Sequence, residues 1–154
     1  MGMSDFKFNP KVSDPMAEMT DAALGNAANE GWGSNDLGKV VKLASGGNGY
    51  QLVSTGDEIE GVVVAVEPFT VNGGFGFGTV QKNKRFIAKV DAAQVGTLTI
   101  GELAVAGVQA AVGTANTGSY PVVKQGTPTV HIWRVIRVVS GTGVAGDLVL
   151  IERV

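Results

Sequence analysis

The chain has no cysteine in its 154 residues and a single histidine. The first absence excludes disulfides, thiolate nucleophiles and cysteine metal sites, and is compatible with folding in a reducing cytoplasm. The second makes any histidine-based metal centre depend on carboxylate partners, and no Glu or Asp lies beside His131 in "PTVHIWRV". Charge of one sign is scarce as well: 12 basic residues face 14 acidic ones, for a formal net charge of -2, with no long run of either. That balance lacks the broad positive field that non-specific phosphate binding requires, so no direct nucleic-acid partner is expected. No window approaches the roughly 18 apolar residues of a membrane helix. The opening "MGMSDFKFNP" has no apolar export-signal core, so neither a membrane partner nor export is expected.

Glycine is what the chain has in excess. Its 23 glycines are about twice the usual share of roughly 7%, while the hydrophobic fraction is an ordinary 44%. Together these predict many short strands joined by tight turns. A chain of 15.8 kDa is one domain's worth and long enough to bury a core without covalent staples.

Residues 1–38 and 39–154 read differently. The first span holds all four methionines, Pro10, Pro15 and few β-branched residues. Asp14 before Pro15 is a plausible helix start, because the carboxylate caps free N–H groups and proline lacks one. A helix over 15–29 would align Met16, Met19 and Ala23, a stripe too thin to hold it alone. The span is therefore expected to be an extended, partly helical N-terminal arm, either mobile or ordered against a neighbouring subunit, with Trp32 as its anchor.

From Lys39 onward, apolar runs alternate with glycine turns: "KVVKL", "YQLV", "IEGVVVAV", "GFGFGTVQ", "RFIAKV", "TLTI", "LAVAG", "YPVVK", "TVHIWRVIRVV" and "DLVLIERV". The expected fold class is all-β, a compact β-barrel or β-sandwich body. Because "VVVAV" and "LVLI" are apolar in both phases, Val62, Val64, Val66, Leu148 and Leu150 are the expected core. A glycine followed by an acid precedes an apolar run at "GDEI", "GELA" and "GDLV", starting at 56, 101 and 146, an even spacing whose flanking segments do not match.

The stretch "VNGGFGFGTV" at 71–80 is the strongest candidate for a phosphate-cradling loop. Dinucleotide and Walker loops lead into a helix, whose N-terminus supplies N–H groups and dipole, and a Walker loop ends in Gly-Lys-Ser/Thr. Here "TVQKNKRF" follows, which reads as strand. The stretch also resembles the glycine-rich closing motif of trimeric dUTPases. It sits mid-chain rather than at a C-terminal tail, and no segment matches that family's uracil pocket. The structural reading is a hairpin at Asn72-Gly73, with Phe75 and Phe77 on one face and Gly74, Gly76 and Gly78 on the other, where a backbone can come close.

Other polar groups read as structural. His131 beside Trp133 suggests packing or an interface polar group; Asp57, Glu58 and Glu60 suggest solvated carboxylates beside a turn. Lys82, Lys84 and Arg85 form a basic hairpin tip, either simply solvated or in contact with an acidic partner surface. Arg134 and Arg137 fall on opposite faces of a regular strand, so one should pair with a carboxylate, of Glu152 or of a neighbouring subunit. No residue is assigned a catalytic, cofactor-binding or metal-binding role, and no cofactor is expected.

The segments "GDEIEGVVVAVEPFTVNGGFGFGTVQ" and "HIWRVIRVVSGTGVAGDLVLIERV" resemble the head decoration, or capsid cement, proteins of tailed bacteriophages. The resemblance covers about residues 39–154. It implies a non-enzymatic virion structural protein made in the host cytoplasm. Such a protein would sit on the head exterior as a homotrimer, bound to the major capsid protein. Contact with capsid or a neighbouring subunit is then expected at Trp32, Lys82, Lys84, Arg85 and Trp133. The alternatives are a tail or fibre-base component and a small-ligand-binding β-barrel.

Overall fold

The computed structural model describes residues 7–8, 19–25, 30–45, 49–67, 76–82 and 84–154. Among them are eleven strands: β1 (Lys7–Phe8), β2 (Met19–Leu24), β3 (Val40–Leu43), β4 (Gly49–Leu52), β5 (Gly61–Glu67), β6 (Gly76–Gln81), β7 (Arg85–Val90), β8 (Leu103–Ala106), β9 (Val122–Gln125), β10 (Trp133–Val138) and β11 (Leu148–Arg153). Among the described residues, helix is confined to two 3-10 turns, Ser34–Asp36 and Thr117–Ser119. The all-β class expected from sequence is observed, as two closed five-stranded barrels.

In the first barrel the order β5-β3-β4-β2-β6 closes by pairing of β6 back onto β5. β1 extends the ladder on the β3 side of β5, opposite Val66 and Ala65. In the second, β10-β11-β7-β9-β8 closes between β8 and β10. Closure removes exposed strand edges.

The helix expected over 15–29 is not formed at 19–24. That stretch is β2, whose residues from Met19 to Leu24 pair antiparallel with Gln81 to Gly76. A thin apolar stripe gives a lone helix little support, whereas a ladder along β6 and the complete burial of Leu24 favour the strand. Gly25 follows the strand in non-helical backbone at φ +112°, and residues 15–18 and 26–29 of the expected helix lie outside the described residues.

β5 is buried on both faces, as its unbroken apolar run implies. Val62 and Val64 enter the larger core, with Phe86, Trp133, Val149 and Ile151 of the second barrel. Val63 and Val66 fill the first barrel with Leu24, Val41, Tyr50 and Val80. Each fully buried valine is worth about 1.5–3 kcal/mol, so β5 is the seam that holds the barrels together. Trp133 reinforces it: its ring lies 4.8 Å from that of Phe86, and its indole N–H donates to the Ile59 carbonyl at 2.9 Å.

In β11 the core phase is the reverse of the one expected. Val149 and Ile151 are buried, and Leu148 and Leu150 are only partly so. In β10 a bulge between Val135 and Arg137 adds one residue, and both Arg134 and Arg137 end up exposed. The extra residue shifts the alternation, so neither arginine needs a buried partner. The run "TLTI" is not a strand; its Leu98 is buried and holds a loop in place through N–H donation to the Gly143 carbonyl.

The three glycine–acid pairs prove to be one turn used three times. Gly56, Gly101 and Gly146 have φ of +90°, +89° and +88°, the third-position conformation that favours glycine. Asp57, Glu102 and Asp147 each accept the backbone N–H three residues earlier, from Ser54, Thr99 and Val144. Each turn then clamps a strand of the second barrel through a reciprocal pair of backbone bonds, to Ala106, Val135 and Val90 respectively.

Candidate interaction surfaces

One end of the second barrel is built almost without charge. Residues 92–101, 103–123 and 138–146 contain no Asp, Glu, Lys or Arg. The loops among them carry five of the exposed large apolar side chains, Val95 at 90%, Ile100 at 68%, Val108 at 57%, Val144 and Val139, while Val130 and Val154 are exposed elsewhere.

Buried polar groups fix these loops. The Asp91 carboxylate, 3% exposed, accepts from Ala93 N–H at 2.8 Å and from Val108 N–H at 2.7 Å, so one side chain ties the first two loops. Leu98 N–H joins the first loop to the third through Gly143. Within the second, Asn116 accepts from Ala110 N–H and donates to Gln109 and Tyr120. Lys39 donates to the Ala111 carbonyl, and Asp36 accepts from Gly113 N–H, which anchors that loop to the first barrel. A cavity of about 310 Å³ opens between the loops, lined by Ala92, Val108, Ala115, Asn116 and Gly146 among others. Preorganised, uncharged and apolar loops have the composition of an interface centre, where charged residues are depleted.

At the opposite end of β7 lies a polar cleft of about 250 Å³, lined by Leu43, Tyr50, Glu60, Lys82, His131 and Arg153. Arg153 donates to the Lys82 carbonyl at 2.7 Å and lies 2.9 Å from His131 Nδ1. A guanidinium has no acceptor, so Nδ1 is unprotonated and Nε2 carries the ring proton. Nε2 faces Glu60 at 3.2 Å. Both ring nitrogens of the one histidine are thus engaged. The carboxylate absent from its sequence neighbourhood is supplied by the loop entering β5.

The three carboxylates expected beside a turn are all cross-links. Asp57 accepts from Lys42 at 2.6 Å and caps its turn through Ser54. Burial raises its pKa, but the Lys42 ammonium and the Ser54 N–H outweigh that, and the carboxyl lies below its usual range. Glu58 accepts from the backbone N–H groups of Thr129, Val130 and His131 and from the Thr129 hydroxyl. These bonds, that from Thr129 N–H foremost, lower its pKa from 4.5 to about 2. Glu60 also accepts from Leu43 N–H.

Of the expected contact residues, Lys82 lines this cleft. Lys84 is exposed in a left-handed turn conformation, and Arg85 is exposed with its guanidinium 3.8 Å from Glu152. Trp133 is fully buried and Trp32 nearly so, its indole bonded to Glu30, so both are core residues and offer no contact surface in this chain. Their large apolar area is better satisfied inside than at a surface. Asn72-Gly73, Gly74 and Phe75 lie outside the described residues. Gly76 and Gly78 do allow close approach: an added Cβ would meet Trp32 Cβ at 2.5 Å and the Ala65 carbonyl at 2.3 Å. Phe77 is 42% exposed. The charge-free loops and Arg153 were not singled out from sequence, although the charge-free runs are visible there.

No protein-family model, curated protein or solved structure matches the chain. Among the described residues no cluster of three or more His, Cys, Asp or Glu could hold a metal ion, and no helix is long and apolar enough to cross a membrane.

Proposed function

We propose that the protein is a non-enzymatic structural component of a tailed-phage virion, seated as a trimer on the outer surface of the head and stabilising the major capsid protein lattice. The observation that carries this reading is the charge-free apolar end of the second barrel, a rigid surface suited to burial against a protein partner. A protein that binds only the mature lattice stabilises it by mass action, with no chemistry required. Several copies in one oligomer add avidity, so each contact can be weak. A tail or fibre-base component has the same surface requirements and is separated by copy number in the virion.

The test is light-scattering mass of the purified protein, followed by co-sedimentation with expanded capsids that lack it. A trimer that pellets at fixed stoichiometry is the expected result. A monomer that stays in the supernatant overturns the proposal. A ligand-induced rise in melting temperature would instead favour a small-ligand-binding barrel, for which the 310 Å³ cavity is the available site.

A further inference from the structure

Among the described residues, the polar cleft holds a cation, Arg153, with no carboxylate as a direct partner. Arg153 is half-buried, and its partners are two neutral acceptors, the Lys82 carbonyl and His131 Nδ1. Among the described residues no carboxylate lies within ion-pair distance of it. The nearby acid is committed elsewhere: Glu60 holds His131 Nε2 with one oxygen and Leu43 N–H with the other. Desolvating a guanidinium without an opposite charge is costly, and that cost is recovered when an anion enters.

The geometry is that of a prepared site. A guanidinium carries five N–H donors in a fixed fork, and two nitrogens of Arg153 are already aimed by their bonds to the protein. The donors left over are held in a planar, preoriented group, which suits paired acceptance by a carboxylate. Leu43, 54% exposed, and Tyr50 give the cleft an apolar wall beside this charge.

We propose that this cleft binds a single carboxylate group beside an apolar side chain. The Glu60 charge, 3.2 Å from the imidazole, disfavours a doubly charged phosphate more than a singly charged carboxylate. A volume of about 250 Å³ is also below the size of common cofactor pockets. The carboxylate comes either from an acidic side chain of a partner polypeptide or from a small free acid. The inference is independent of the virion reading.

The experiment is an NMR titration of the full-length isotope-labelled protein, following Arg153 Nε–H and the His131 ring. The probes are acetate and, separately, a blocked Leu-Glu dipeptide. Saturable shifts of both groups are expected, with affinity reduced about tenfold or more in R153Q, the loss of one charge-assisted contact. Saturation by acetate as tight as by the dipeptide identifies a free acid as the source; tighter binding of the dipeptide identifies a partner side chain. E60Q, which keeps the acceptor for Leu43 N–H but removes the competing charge, should tighten binding and serves if R153Q fails to fold. Absence of shifts at Arg153 with both probes, or a folded E60Q that binds no more tightly, overturns the proposal.

Discussion

Asp36 and Lys39 form an ion pair 2.6 Å long, with neither side chain exposed to solvent. Each also holds backbone: Asp36 accepts from Gly33 and Gly113 N–H, and Lys39 donates to the Ala111 carbonyl. The pair is therefore the bolt between the first barrel and the loop that walls the 310 Å³ cavity.

Removing one member leaves the other charged and buried. K39M should destabilise the protein by about 3–5 kcal/mol, measured by chemical unfolding. Amide exchange across 109–116 should accelerate before global unfolding, since that loop loses its anchor. A double replacement, D36L with K39M, should cost less than K39M alone, because no unpaired charge remains.

Glu58 should make stability depend on pH. Its folded pKa of about 2 lies below the ordinary 4.5, so its contribution is complete above about 4.5 and declines as pH falls towards 2. E58Q should melt below wild type at neutral pH, and the gap should narrow across that window, where the wild-type carboxyl itself becomes protonated. Thermal melts of both proteins between pH 7 and pH 2 check this; a gap independent of pH contradicts it.

The three glycine–acid turns allow a controlled comparison. At Gly56, Gly101 and Gly146 an added Cβ would meet nothing within 4 Å, so G56A, G101A and G146A should each lose only the backbone term, about 1–2 kcal/mol. The three losses should agree within about 0.5 kcal/mol. Gly143 has the same φ of +90°, but a Cβ there would lie 2.4 Å from the Leu98 carbonyl. G143A should therefore cost more than any of the three, by equilibrium denaturation.

How far the fold could be read from sequence depended on whether a local pattern had one physical meaning. The run "VVVAV" can only be buried on both sides, and β5 is. "LVLI" is apolar in either phase, so alternation could not say that Val149 and Ile151, rather than Leu148 and Leu150, face inward. The bulge in β10 adds a residue without any glycine or proline to mark it, which is why Arg134 and Arg137 defeated a period-two reading. β2 reads as part of a helix, because its strand pairing depends on β6, distant in sequence. The cleft was hidden for the same reason: Glu60, His131 and Arg153 come from three separate segments and meet only after both barrels close. The charge-free loops were legible, and needed only burial values to be recognised as a face.

That face gives the last prediction. Val95 and Ile100 are largely exposed, so V95K and I100K remove little packing, and each should alter stability by no more than about 0.5 kcal/mol. A lysine buried at the centre of an interface, however, must be desolvated without a partner among uncharged loops. Capsid binding should then weaken by about tenfold or more per substitution, measured by co-sedimentation across a concentration series. V154K, at the opposite end of the second barrel and also exposed, should leave binding unchanged. If V154K weakens binding while V95K and I100K do not, the partner sits on the cleft end, and the charge-free loops are exposed for another purpose.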